Sequence, residues 1–571
     1  MAYKVRWLCA DFECSNSKIN IEKQYTRVWL WDIYDHETRK HVQGTDIETF
    51  FLTLFDYGSC TIYFHNLKYD GAFIINYLLK NGFTISDSEE NFTISTLITD
   101  RLIWYTFTIH VNNKRFQFRD SMKKITGSLE KAAKDFELDI GKGVINYNKH
   151  RDKGYVPSQK EKEYIKTDTE IMSNILEYYY ANGMTGMTNA SDAMKAYKKI
   201  VTDTGYKRYF PVLNKEIDDF IRRSYKGGFC YLNPKFKDKF LTRIYTYDVK
   251  SMYPSVMRYC MLPYGIPEMY EGEYKFDSEM PLYIQEVMVD CKLKEGRIPS
   301  IQTKSFMSLK LKYLEDTNGK MMTLVLTSLD LERLLDDYEI FDIVYVKGLK
   351  FAQTNLLFKD YVDFYYRKKE ESKGAKKQLY KIFLNSLYGK FAMMTERSQA
   401  IPKIENEHNA YDRTEKEEHE AVYTAVASFI TANARKKLLD GIYANLENFI
   451  YCDTDSMHLI DVAKNITIGK ELGNFDLENG KIENGRHISY ITLGKYLGQK
   501  CYMLAGKKNK EYYELKKIAG APDAVKRQIG FHNFKINFTS DADHFPKFRM
   551  KNVDGGVLLI PTEFTIKEKA V

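Results

Sequence analysis

The chain has 571 residues, 44% hydrophobic and 28% charged, with a formal net charge of +8. That composition excludes wholesale disorder, and the length exceeds what one hydrophobic core sustains, so at least two domains are expected. The positive excess is too small to signal nucleic acid unless it is localised, and the eight cysteines, without a Cys-x-x-Cys pair or a zinc-like His spacing, read as scattered reduced thiols.

The N-terminus lacks the apolar stretch of a signal peptide, and no run of about 18 apolar residues is present to span a membrane. Residues 3–9 alternate like a strand and lead onto Asp11 and Glu13. Strand-like runs follow at 26–34 and 60–65, then a helical pattern at 70–80. Residues 102–111 and 115–119 flank Asn112-Asn113-Lys114 and predict a hairpin. A strong helical stripe at 159–180 closes an α/β domain near residue 188. In the second block, 244–249 predicts a strand, and 359–392 is helical with nine Lys/Arg against four acids. Residues 449–460 read as strand, acidic turn, strand. Two inserts stand out: a stretch of mixed character after residue 257, with a strand-like run at 283–292 and a helical one at 328–337, and a polar, charged stretch at 395–420.

Asp11 and Glu13 lie two apart on a strand and share a face. Asp70 opens a helix, and Tyr164 and Asp168 are helical neighbours at i and i+4. Four acids from three elements suit a pair of Mg²⁺ ions about 4 Å apart, the arrangement for in-line phosphodiester hydrolysis, with Tyr164 placed to orient the attacking water. Each acid alone also fits a solvated strand or helix end. Asp248 at a strand end and Asp453-Thr454-Asp455 at a turn form a second set. Such carboxylates are costly without a neutralising cation. Lys377, Lys381, Asn385 and Tyr388 fall on one stripe of a predicted helix 376–391. That stripe suits a nucleoside triphosphate, and the Lys pair alone also fits a solvated helix edge.

Read together, these segments resemble known motifs. Asp11-Phe-Glu13, His65-Asn-Leu-Lys-Tyr-Asp70 and Tyr164-Ile-Lys-Thr-Asp168 resemble, in order, the three exonuclease motifs of proofreading DNA polymerases. Asp120-Ser-Met122 resembles a further single-strand contact segment, with Met where Leu is usual. Asp248-Val-Lys-Ser-Met-Tyr-Pro-Ser255 resembles motif A of B-family DNA polymerases. Lys381–Gly389 resembles motif B, and Tyr451-Cys-Asp-Thr-Asp-Ser456 motif C. Lys500-Cys-Tyr502 resembles the primer-gripping Lys-x-Tyr, and Tyr225-Lys-Gly-Gly228 the linker motif between the two activities. The short chain and its two inserts resemble the protein-primed subgroup of phi29-like phages. Three departures stand out: Lys226 where Arg is common, Gly498 where a basic residue is expected, and Lys250 where a neutral polar residue is usual.

The resemblance implies an α/β multidomain fold: a ribonuclease-H-like 3′–5′ exonuclease domain joined to a right-hand polymerase with two inserted subdomains. The implied boundaries are 1–188 exonuclease, 189–256 first part of the palm, 257–355 first inserted subdomain, 356–394 fingers, 395–421 second inserted subdomain, 422–527 second part of the palm and 528–571 thumb. It implies metal ligation by Asp11, Glu13, Asp70 and Asp168 at one centre. At the other, Asp248, Asp455 and the Val249 carbonyl hold metal with Asp453 beside them. Two Mg²⁺ serve each site, with Mn²⁺ able to substitute. Tyr253, Lys369, Lys377, Lys381, Asn385 and Tyr388 face the nucleotide. His65, Asn66, Tyr69, Ser121 and Met122 hold the frayed 3′ end. Tyr225, Lys226, Gly227, Gly228, Thr431, Arg435, Lys500 and Tyr502 contact DNA. The implied partners are template and primer DNA, dNTPs and a terminal protein that offers a priming hydroxyl. A monomer, or a heterodimer with that protein, in the cytoplasm of a bacterial host and away from membranes, is the expected setting. An RNA polymerase or reverse transcriptase is disfavoured by the exonuclease half and Tyr253. A non-catalytic relative is disfavoured by the retained carboxylates, and a DNA-primed enzyme stays open.

Overall fold

The alternation of the first strand decides the architecture around it. Trp7 and Cys9 pack against Ile171 and Ile175 of the helix Gln159–Ala181. Leu8, Ala10 and Phe12 pack against Phe50, Phe51 and Ala72, from helices Ile47–Asp56 and Leu67–Lys80. A strand apolar on both faces is an interior strand. In the computed structural model, which describes residues 6–138, 145–146, 149–303 and 312–568, this strand spans Arg6–Cys14. The start expected at residues 3–5 lies outside the described residues, and the acids lie inside the strand instead of after it. It sits in an eight-stranded sheet, hydrogen-bonded antiparallel to Val28–Asp35 and parallel to Cys60–Phe64, which pairs in turn with Lys114–Asp120.

The helix Gln159–Ala181 is fixed at its start by a capping box of Ser158 and Glu161. Burial raises the Glu161 carboxyl, but Arg151, the Ser158 N–H and Tyr155 pull it down to about 2. Arg151 in turn lies over the Trp29 ring, 4.1 Å from its centroid. The first turns of the helix are thereby tied to the Val28–Asp35 strand.

The second half is built on a five-stranded antiparallel sheet in the order Phe475–Glu478, Tyr245–Val249, Ser456–Leu459, Phe449–Asp453, Cys230–Leu232. The helix Thr424–Tyr443 is buried on nearly every side, which marks it as a core element. The basic helical region divides in two, Lys359–Glu370 and Gly374–Ser386, followed by a 3₁₀ turn at Tyr388–Ala392. The first insert carries a four-stranded sheet with the helix Ser328–Asp337 beside it. The second carries the hairpin Ala400–Glu405/His408–Arg413. Near the C-terminus, the hairpin Lys547–Val553/Gly556–Thr562 returns to the first domain. Val557 joins the core around Phe73, and Thr26 N–H donates to the Asp554 carbonyl at 3.0 Å. Asn409 Nδ2 of the second insert donates to the Ala72 carbonyl at 2.7 Å. All eight cysteines are free thiols. Among the described residues no helix is long and apolar enough to cross a membrane.

Candidate active sites

Asp11 and Glu13 continue the row begun by Trp7 and Cys9, so they face the helix that presents Tyr164 and Asp168. Tyr164 packs beside Trp29, Leu30 and Ile165. Asp70 enters from the helix Leu67–Lys80. Its carboxyl is 2% exposed, one buried oxygen, Oδ1, lacks a hydrogen-bond partner, and the Phe12 N–H donates to the group. Burial pushes this carboxyl well above the ordinary carboxylate range. A group in that state is waiting for a proton or a cation.

Asp120, which the sequence presents only as the start of a contact segment, organises the second motif. Its Oδ1 accepts from the N–H groups of Asn66 (3.1 Å), Leu67 (3.4 Å) and Met122 (3.0 Å). It thereby caps the helix from another strand and holds Asn66 at φ +71° with its side chain exposed. Ser121 is corrected: it is fully buried and bonds His65 Nδ1 at 2.9 Å, so it has no surface for DNA. His65 Nε2 donates to the Gly127 carbonyl at 2.8 Å, which leaves the ring face, not its nitrogens, for a ligand. Tyr69 and Met122 are half-buried. The sequence reading also missed Asp32, which is fully buried opposite Asp11. Asp32 accepts from Thr169 Oγ1 (2.6 Å) and bonds His41 Nδ1 (2.9 Å), and His41 Nε2 reaches Glu170 at 2.8 Å. Burial lowers the His41 imidazole, but Asp32 and Glu170 together raise it above its usual value. An acid inside the apolar run Val28–Tyr34 was the available signal.

At the second sheet, strand pairing sets Asp248 between Ser456 on one side and Asp476 on the other. Asp455 is drawn to the same edge because its carbonyl accepts from Val249 N–H at 2.8 Å. Burial, then Asp455, Glu478 and Asp476, push the Asp248 carboxyl up to about 7, with Lys381 opposing. Burial raises Asp455 to about 6, its own backbone N–H opposing and Asp453 and Glu478 adding to the rise. Asp476 and Glu478 were missed by the sequence reading, although their i, i+2 spacing repeats that of Asp11 and Glu13. Thr454, between the two motif acids, has φ +63°, and its N–H donates to the Phe229 carbonyl at 2.7 Å. Gly228 closes over it: a Cβ there would stand 2.9 Å from Thr454 Cγ2. Lys500 Nζ lies 3.0 Å from Asp453 Oδ1.

Lys377, Lys381 and Asn385 are exposed at i, i+4 and i+8 of the helix Gly374–Ser386. Tyr388 is corrected: it lies past the helix end in the 3₁₀ turn, where its ring stacks on Tyr253 at 4.2 Å. Lys369 Nζ donates to Ser251 Oγ at 3.3 Å. Besides Ser121, three further DNA-contact expectations fail on burial. Thr431 is buried and its hydroxyl donates to the Ala427 and Ser428 carbonyls, both at 3.1 Å. Arg435 is 2% exposed. Its Nη2 forks onto both oxygens of Asp330 at 2.8 Å, and its Nη1 donates to the carbonyls of Lys226 (3.0 Å) and Gly227 (2.9 Å). It shapes the Tyr225–Gly228 loop from inside. Tyr502 is buried against Tyr451 and Tyr496, which leaves Lys500 as the outward member of that motif.

Both centres fit divalent metal on donor chemistry: they are all-oxygen, and both hold carboxylates whose charge burial opposes. Among the described residues no three His, Cys, Asp or Glu side chains are gathered into a ready-made coordination sphere. Such loose sets suit Mg²⁺, which keeps several waters and takes further ligands from phosphate.

A family model for type B DNA polymerases, organellar and viral, matches residues 52–158 and 145–470. The DNA polymerase of Bacillus phage phi29 is 37% identical, with 95% of this chain and 96% of the relative covered. The phi29 polymerase in an orthorhombic crystal form superposes with a TM-score of 0.91 at 34% identity, over 99% of this chain and 100% of the other. The phi29 ternary complex with primer–template DNA and incoming nucleotide superposes with a TM-score of 0.89, with the same coverage and identity. The chain is a member of the organellar and viral type B DNA polymerase family, of the phi29 kind.

Proposed function

We propose that the protein copies viral DNA from dNTPs, primes on a terminal protein, displaces the strand ahead and proofreads with its own 3′–5′ exonuclease. The observation that carries the reading is the pair of acid centres built on two separate sheets: Asp11 and Glu13 on one, with Asp70 and Asp168 on helices packed beside it, and Asp248 on the other, with Asp455 in the adjoining turn. The phi29 complex with primer–template DNA and incoming nucleotide supports the substrates. In the polymerase centre, Asp248, Asp455 and the Val249 carbonyl would hold Mg²⁺. That ion, when bound, supplies charge stabilisation for in-line displacement at the α-phosphate. Lys369, Lys377 and Lys381 bind the triphosphate, and the stacked Tyr253 and Tyr388 rings form the floor beneath base and sugar. Lys500, kept charged beside Asp453, stands by the attacking hydroxyl, whether of a primer end or of the terminal protein. In the exonuclease centre, Asp11, Glu13, Asp70 and Asp168 would hold metal. Tyr164 orients water, and Asn66 and Tyr69 grip the 3′ end. The first insert folds on its own sheet yet reaches the palm through Asp330 and Arg435. That attachment suits a subdomain that closes over duplex and parts its strands.

The test is separation of function. Asp70→Ala abolishes excision of a single-stranded 3′ end and leaves primer extension, whereas Asp455→Ala does the reverse. Loss of both activities in either variant refutes the two-centre assignment. Removing the first insert behind a short Gly-Ser bridge is expected to keep gap filling and lose strand displacement. Unaided copying through kilobases of duplex would overturn that part.

A further inference from the structure

Lys250 is the motif A residue that departs from the usual neutral polar side chain, and the mechanism above leaves it unused. Its backbone is held on both sides: its N–H donates to the Asn474 carbonyl at 3.0 Å, and its own carbonyl accepts from Gly473 N–H at 2.9 Å. The side chain therefore leaves a fixed base two residues beyond Asp248. Its ammonium meets Asp476 Oδ2 at 3.3 Å, with the two side chains 29% and 46% exposed. An ion pair that long and that exposed holds its partners weakly.

The other side of this turn faces the fingers. The next residue, Ser251, accepts from Lys369 Nζ, so an ammonium of the helix Lys359–Glu370 hangs over the turn. Burial lowers the proton affinity of Lys369. The pair with Glu370 opposes this, while the positive fields of Lys377 and Lys250 add to it. The ammonium groups of Lys250, from the palm turn, and Lys377, from the second fingers helix, thus both repel that of Lys369, while Glu370 pairs with Lys369 and Asp476 with Lys250. Repulsion of this kind is relieved by a multivalent anion. Lys381, whose field reaches Asp248, would on the reading above meet the end of the triphosphate next to the acids. Lys377, one turn earlier, and Lys369 define the outer end, and Lys250 belongs with them.

We infer that Lys250 is an additional triphosphate-binding cation of this polymerase, parked on Asp476 and transferred to the outer phosphates when a nucleotide enters. The inference rests on the reading that Lys369, Lys377 and Lys381 hold the triphosphate.

The experiment measures dNTP KM, kcat and inhibition by inorganic pyrophosphate on a primed template. Single-strand excision by the same preparations reports that the fold is intact. Lys250→Gln is expected to raise KM by about tenfold, the worth of one charge-assisted contact, and to weaken pyrophosphate inhibition by a similar factor, with kcat within about threefold. Lys250→Arg keeps both near wild type. Asp476→Asn frees the lysine and lowers KM. Unchanged KM and pyrophosphate inhibition in Lys250→Gln overturn the inference. A Lys250→Gln/Asp476→Asn double variant with wild-type KM overturns it too, because Lys250 would then serve only to neutralise Asp476. No fall in KM for Asp476→Asn overturns the parking role. Lys381→Ala is the control. If it raises KM while Lys250→Gln does not, only this inference fails, and if neither does, the triphosphate reading itself fails.

Discussion

Replacing Arg435 with methionine decides whether this guanidinium holds DNA or holds the protein. In the structure it spends its fork on Asp330 and its remaining Nη1 donor on two loop carbonyls. Removing one partner of a buried ion pair costs about 3–5 kcal/mol, because the other charge stays behind unpaired. The carbonyls of Lys226 and Gly227 also lose their donors. The expected result is a clearly lower denaturation midpoint, and slower primer extension because Gly228 no longer seats Thr454. A phosphate contact would behave differently. Its loss lowers the slope of log affinity against log salt by about 0.9 on duplex DNA and leaves stability nearly unchanged. The assay is therefore a salt titration of primer–template binding beside a urea denaturation of the same variant. Asp330→Asn, on the first insert, should reproduce the destabilisation, and the double variant should cost less than the sum of the single changes. A midpoint equal to wild type together with a slope reduced by about one unit would refute the buttress.

Other outcomes follow from the same geometry. Gly228→Ala drives a methyl against Thr454 at 2.9 Å, so primer extension should fall by about 10–100-fold, or roughly 1.4–2.7 kcal/mol, while single-strand excision persists. Tyr253→Val removes the ring stacked on Tyr388; the ratio of ribonucleotide to deoxyribonucleotide incorporation should rise by roughly a hundredfold, and an unchanged ratio would mean the ring does not meet the sugar. Asp248 and Asp455 have folded pKa values raised to about 7 and about 6, so the metal-free protein holds protons there that the unfolded chain has released. Those carboxylates destabilise the metal-free fold increasingly as pH rises from the ordinary carboxylate range through 6 and 7. Mg²⁺ binding should accordingly release protons at pH 6 and few at pH 8, measurable by calorimetry in buffers of different ionisation enthalpy.

Much of the site was legible because its signals are local. Asp11/Glu13 at spacing two and Tyr164/Asp168 at spacing four state their shared faces without reference to the rest of the chain. The helix expected over 159–180 is Gln159–Ala181, since its capping box and apolar stripe are both within its own sequence. The helix expected at 70–80 starts earlier, at Leu67, because its cap comes from Asp120 on another strand. Asp476 and Glu478 carry the same i, i+2 spacing as Asp11 and Glu13, yet only antiparallel pairing with Tyr245–Val249 sets them beside Asp248.

The sequence by itself therefore determined the two sets of acids, the cationic helix face and the order of the motifs, since each is written in spacings of a few residues. Tertiary structure alone decided which of those side chains meet solvent. Thr431 and Arg435 sit on the helix Thr424–Tyr443, where the resemblance to B-family polymerases implied DNA contacts. Arg435 nevertheless turns inward, because its counter-ion, Asp330, arrives from 105 residues away. Local periodicity has no term for such a partner. A buried charge is tolerable only where the fold supplies its opposite, and that is settled by the assembled chain.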